Sequence, residues 1–189
     1  KGVTRCDDII TQLLDYSRTK QLSCRPDNLD NWLATAVEEE AQRLPAAVEI
    51  TCTLGLGDLM VPFDPSRLRR AVINLMNNAC EAMVGTGEDA ARFTTAHPRL
   101  SLSTHREGKN VVISVSDNGP GISPENIARI REPLFTTKSF GTGLGLPAVE
   151  KILEQHGGRL AISSAVGKGS SFDIYLPIEG NGETYTEAA

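Results

Sequence analysis

The sequence predicts an α+β fold: a two-layer sandwich with a mixed, mainly antiparallel sheet covered on one face by helices. Strand-like stretches come in pairs joined by short glycine-containing turns, "RLSLST" with "NVVISVSD" across "HREGK" and "RLAISSA" with "SSFDIYLP" across "VGKG". Helical stretches lie between these pairs and do not alternate strictly with single strands, which argues against a doubly wound parallel sheet. One of them, inside "DPSRLRRAVINLMNNACEAM", is long and apolar along a single stripe, as a helix laid on a sheet must be.

Each element is dictated by local chemistry. From Asp7 to about Leu22, Ile9, Ile10, Leu13, Leu14 and Tyr16 form the stripe of an amphipathic helix, too short to stand alone and in need of a partner. "SCRPDN" at 23–28 breaks it, because Pro26 disfavours helix at Arg25 while Asp27 or Asn28 can cap the next helix; a domain boundary is expected there. That second helix is expected from about Leu29 to Leu44, ended by Pro45. "VEITCTLG" places Val48, Ile50, Cys52 and Leu54 on one face of a half-buried strand. After the short apolar "LMV", Asp64 is a capping acid, Pro65 takes the first helical position, and Leu68, Val72, Ile73, Leu75 and Met76 form the stripe.

Residues 84–98 carry turn formers without a period and read as a surface insertion. Strands are expected at 99–104 and 110–117, then a short helix at about 124–130, an aperiodic stretch "REPLFTTKSFGTGLGLP", and a helix from about Leu146 to Gln155 stopped by Gly157 and Gly158. The last hairpin and a polar, disordered tail from Glu179 complete the chain. No internal repeat is present.

The 189 residues, 40% of them hydrophobic, suffice for one medium core and a smaller appendage. A net charge of -5 without a long basic run argues against a nucleic-acid partner, and no apolar run approaches the roughly 20 residues that span a bilayer, so no membrane contact is expected. Cys6, Cys24, Cys52 and Cys80 are scattered without metal-ligand spacing and read as reduced thiols of a cytoplasmic protein. The opening at Lys1, already close to helical pattern, suggests a piece of a longer protein.

Three motifs carry chemistry. In "VVISVSDNGPGI", a β-branched strand ends in Asp117, Asn118, Gly119, Pro120 and Gly121, which can be a plain turn, a phosphate cradle or a base-reading carboxylate; the ligand spacing of a calcium loop is absent. In "FGTGLGLP", Gly141, Gly143 and Gly145 precede a helix, so the stretch is either an anion cradle or a flexible loop; it is neither a Walker nor a dinucleotide fingerprint. In "NLMNNACEAM", Asn74 and Asn78 share one helix face. An amide oxygen is a hard ligand suited to Mg²⁺, although such a pair can equally be solvated or capping.

Taken in order, "NLMNNACEAM", "DNGPGI", "EPLFTTK" and "GTGLGL" resemble the asparagine, first glycine, phenylalanine and second glycine boxes of the sensor histidine kinase catalytic domain. That domain belongs to the ATP-binding superfamily shared with DNA gyrase, the MutL proteins and the large heat-shock chaperones. The resemblance covers about residues 27–178, with a short lid of the nitrogen-regulatory type. "DDIITQLLDYSR" likewise resembles the end of the second helix of a dimerisation and phosphotransfer hairpin, so residues 1–26 are expected to be a remnant of it and 179–189 a tail.

The resemblance implies roles. Asp117 would accept a hydrogen bond from the adenine amino group of ATP, Gly119 and Gly121 would let the chain pass close to the base, and Ile122 would pack on it. Asn78 would hold Mg²⁺, supported by Asn74. Phe135, Thr137 and Lys138 would belong to the lid, with Lys138 meeting the terminal phosphates, and Gly141, Thr142, Gly143, Leu144, Gly145 and Leu146 would wrap the phosphates. Asn74 stands where the ATP-hydrolysing branches carry a general-base Glu, and an amide cannot take a proton from water, which favours phosphoryl transfer to a protein side chain.

Glu81 departs from the pattern: many histidine kinases carry Lys or Arg there, and an acid repels phosphates unless it points away. None of His97, His105 or His156 fits the phosphoacceptor motif, so the acceptor is expected before Lys1. Implied partners are the hairpin of the same, homodimeric parent and a response regulator receiver domain. The alternatives are a serine-directed kinase of anti-sigma type, a superfamily ATPase, or a non-catalytic signalling module.

Overall fold

The computed structural model describes residues 22–85, 95–138 and 141–180. The expected helix at 7–22 up to residue 21, residues 86–94 of the insertion and the tail from residue 181 lie outside the described residues.

Strand β1 (Arg25–Asn28) pairs antiparallel with β3 (Met60–Phe63) in a small two-stranded sheet. The stretch read as a break between helices is non-helical and is in addition a strand: the turn-forming residues Pro26, Asp27 and Asn28 are recruited by a partner strand distant in sequence, Arg25 opposite Phe63. Leu22 is buried, and the Ser23 amide donates to Asp64 at 3.0 Å. Asn28 also caps helix α1 (Leu29–Ala41) by accepting from the Asn31 amide at 2.8 Å. The helix stops before Leu44, because Arg43 and Leu44 both turn back onto the Glu40 carbonyl and Pro45 comes next. At the start of α1, the buried Asp30 carboxylate takes the amides of Leu56 and Gly57 and the Thr104 hydroxyl, which ties down the connection into β3.

The main sheet has five strands in the order β2 (Glu49–Thr53), β4 (Arg99–Glu107), β5 (Asn110–Asp117), β7 (Gly169–Pro177), β6 (Arg159–Ala165). Only β2 runs parallel to its neighbour; the rest is antiparallel. Two readings shift here. β4 extends to Glu107 because its ladder with β5 continues to the Glu107–Asn110 pair, leaving a tight turn at Gly108 and Lys109. β2 is an edge strand, so Cys52, expected on a buried face, is exposed while Val48 is buried and Ile50 partly so. Cys24, Cys52 and Cys80 are free thiols.

Helices α2 (Pro65–Val84) and α4 (Gly145–Gln155) lie on one face of this sheet; between them in sequence, a single turn, α3 (Pro124–Ile127), comes after β5. The core forms where Leu68, Leu75, Met76 and Met83 of α2 and Val149 and Leu153 of α4 meet Leu100, Leu102, Ile113, Val115 and Ile174. On the opposite face the alternate positions are hydroxyl-rich, with Thr51 bonded to Ser101 and Ser116 to Ser171. The sandwich is therefore two-layered, as expected.

The two helices are joined at one end. Asp64 caps α2 through the amides of Ser66 and Arg67, and its own amide donates to Nε2 of the buried His156 at 3.0 Å. His156 caps α4 and spends its other nitrogen, Nδ1–H, on the Ile152 carbonyl at 2.7 Å. The glycines after it close the helix, Gly157 donating to Glu154 and Gly158 to Leu153. Burial pushes the His156 imidazole below its ordinary range and keeps it neutral. Burial alone would push Asp64 up, but hydrogen bonds from Ser23, Ser66 and Arg67 outweigh it and hold the carboxyl below its usual range.

Candidate functional site

The site residues gather at the end of the sheet where β5 stops and β7 begins. Asp117 is the last residue of β5, opposite Ser170 on β7 and Leu100 on β4. Its carboxylate accepts from the Gly119 amide at 2.8 Å and from the Ser170 amide, so its position is set by backbone on both sides. Burial raises its pKa, and those two hydrogen bonds offset only part of the rise. A half-buried carboxylate with acceptor capacity left over is a partner for a ligand's amino group.

The loop after Asp117 is strapped to the β6–β7 hairpin. The Ile122 amide donates to the Ser164 hydroxyl at 2.8 Å, Ser164 donates onward to the Gly169 carbonyl, and Gly167 donates to the Pro120 carbonyl at 2.7 Å. Gly169 has φ +91, and a side chain there would overlap the Asp117 carbonyl oxygen, so only glycine lets the hairpin come this close. A side-chain carbon on Gly119 would lie 3.1 Å from the Met83 side chain, which places the loop against the last turn of α2. Ile122 is half-buried against the core.

On α2, Asn74 and Asn78 are half-buried on the side facing the start of α4. A side chain added at Gly145, the first residue of α4, would lie 3.9 Å from both the Asn74 oxygen and the Asn78 nitrogen. The structure thus brings the second glycine-rich stretch to the asparagine pair. The Asn78 amide oxygen accepts from the Lys138 ammonium at 3.1 Å, and the same ammonium pairs with Glu81. The oxygen therefore faces a place that already accommodates a cation, and the donor set fits a magnesium-bound phosphate chain.

The segment carrying Lys138 folds onto the glycine-rich stretch. Leu134 donates to the Gly143 carbonyl at 3.0 Å, and Gly143, at φ +66, passes so close that a side chain would overlap the Leu134 backbone. Leu134 itself has φ +69 and is 69% exposed, an uncommon conformation for a bulky residue. Phe135 is half-buried with the Arg129 guanidinium 4.2 Å over its ring, and Thr137 is exposed. Arg131 reaches Glu150 of α4 at 3.1 Å and the Leu160 carbonyl. Gly141 donates to the Lys138 carbonyl and Thr142 accepts from the Leu144 amide. The Leu144 and Leu146 side chains are buried, so these two residues can offer a ligand only backbone.

Sequence reasoning missed the Ser170 amide on Asp117 and the Lys138 partner of Glu81. The glycine pair of "GKGSS" at the start of β7 signals a close approach; nothing in the sequence joins positions 81 and 138.

Fold and site together define a nucleotide-binding sandwich. A family model described as histidine kinase-, DNA gyrase B- and HSP90-like ATPase matches residues 63–180, more than half of the chain, and the chain belongs to this family. Sensor histidine kinases and sporulation kinases are among its relatives. Sensor histidine kinase ZraS of Salmonella typhimurium is 32% identical over 182 residues, covering 94% of this chain and 36% of that protein. Sporulation kinase C of Bacillus subtilis is 37% identical over 180 residues, covering 94% and 39%. The chain thus spans little more than a third of these relatives. The catalytic domain of histidine kinase ThkA superposes with a TM-score of 0.69 at 27% identity, covering 83% of this chain and 97% of that one. ThkA in complex with response regulator protein TrrA gives a TM-score of 0.74 at 24% identity, covering 94% and 48%, a likeness of fold.

Proposed function

We propose that this chain is the ATP-binding kinase domain of a cytoplasmic part of a sensor histidine kinase. It would pass the γ-phosphoryl group of ATP to a histidine on a dimerisation hairpin, from which a response regulator aspartate takes it. The observation that carries the reading is Asp117, a half-buried carboxylate held by two backbone amides at a strand end. Fixed this way, the carboxylate discriminates purines: it accepts from the 6-amino group of adenine and repels the 6-carbonyl of guanine.

Asn78, with Asn74 behind it on the same helix, would hold Mg²⁺; when bound, the ion neutralises charge on the phosphate chain. Gly145 leaves room beside both amides, and the start of α4 directs backbone amides toward an anion. No carboxylate takes the place of Asn74, so this chain offers no base to draw a proton from water there, and the acceptor must bring its own nucleophile. The "DDIITQLLDYSR" stretch, by its resemblance, supports a hairpin before residue 22 and with it a homodimeric parent, the sensor histidine kinase relatives support a two-component parent, and the ThkA–TrrA complex supports a response regulator partner.

Titration calorimetry of Asp117→Asn tests the reading. The amide turns a donor toward the base and forfeits a charge-assisted bond worth about 1.5–3 kcal/mol, so ATP affinity should drop roughly tenfold to a hundredfold while circular dichroism stays unchanged. Unaltered ATP affinity in a folded variant would sink the assignment.

A further inference from the structure

Glu81 lies one turn beyond Asn78 on α2, and the Lys138 ammonium bridges the two, donating to Asn78 Oδ1 at 3.1 Å and pairing with the Glu81 carboxylate. The side chains of Lys138 and Glu81 are only 30% and 36% exposed, so the pair is shielded more than an ordinary surface ion pair. The acid does not point away from the phosphate end; it is neutralised there by a lysine from another segment. We infer that Glu81 is a positioning residue: it holds the Lys138 ammonium on Asn78 as an internal cation that a magnesium–nucleotide would displace.

The inference rests on the proposed reading of Asn78 as the metal-side residue. A divalent ion and an ammonium cannot share one amide oxygen at this distance without strong repulsion, so Lys138 would have to leave Asn78 were a metal held there. The released ammonium is then free to meet phosphate oxygens. Glu81 holds the lysine-bearing segment down until that exchange and thereby sets how readily the segment lifts. In this arrangement Glu81 acts on nucleotide binding through Lys138, not by direct repulsion of phosphates.

Two measurements test this. Without nucleotide, hydrogen exchange at the Leu134 and Gly141 amides, bonded to Gly143 and Lys138, should be about fivefold faster in Glu81→Gln than in the native chain. The charge-swapped pair Glu81→Lys with Lys138→Glu should restore native protection. Equal exchange in native and Glu81→Gln protein overturns the inference, as does acceleration spread equally over the β6–β7 hairpin. In calorimetry with Mg²⁺·ADP, Glu81→Gln should bind several-fold tighter, and the gain should vanish in a Lys138→Gln background. A gain that persists there means direct repulsion and also overturns it.

The outcomes separate from those of Asp117→Asn. If the exchange effect appears while Asp117→Asn binds ATP normally, the nucleotide reading fails and the ion-pair latch stands. The reverse pattern removes the latch and keeps the nucleotide reading.

Discussion

The two ends of the site are built differently. The Asp117 end is cross-strapped: β5 ends between two ladders with the Ser170 amide on Asp117, and the loop beyond it is bonded to the β6–β7 hairpin through Ser164 and Gly167. The Lys138 end consists of aperiodic chain with exposed Leu134 and Thr137, joined to α2 by one ammonium and to α4 and β6 by Arg131. On the proposed reading, a base would need a fixed acceptor and phosphates that arrive with a metal would need a side that can move, which matches a cross-strapped first end and an aperiodic second one.

Equivalent substitutions at the two ends probe this contrast. Gly169→Ala forces a side chain against the Asp117 carbonyl in a ladder that cannot yield, at φ +91. It should cost about 3 kcal/mol, read from urea unfolding, and should also displace Asp117. Gly143→Ala meets the Leu134 backbone at φ +66, less closely and in aperiodic chain outside the sheet ladders. Its stability cost should be only about 1 kcal/mol, with a clear loss of ATP affinity. Equal stability costs would remove the distinction between the ends.

The smallest effect concerns pH. Burial raises the Asp117 pKa, so acidification protonates it above the ordinary aspartate range, and ATP affinity should fall there by a few-fold. The linkage to folding has the opposite sign. A carboxyl with a raised folded-state pKa adds stability at low pH and loses that contribution as pH rises through the window between its unfolded and folded values. Affinity and this residue's share of stability should therefore move in opposite directions over the same window. Parallel movement would assign the titration to another group.

Much of this was readable from local chemistry. Asp64 and Pro65 announce the start of α2, the β-branched run announces β5, and the glycines after His156 stop α4, because capping and period act over a few residues. The order of the four motifs located the candidate site. What stayed illegible depends on long-range pairing: β1 looks like a break until β3 lies beside it, Cys52 looks inward until β2 proves to be an edge, and Glu81 looks misplaced until Lys138 comes to meet it.

The bond from the Asp64 amide to His156 joins the beginning of α2 to the end of α4, while Asn78 and Gly145 face each other near their opposite ends. The two helices thus resemble tongs riveted at the handle. Asn78 lies about 20 Å along α2 from that rivet, so a splay of roughly 3° opens the jaws by about 1 Å. A buried, uncharged imidazole, remote from the asparagine pair, thus sets the pivot between the two helices.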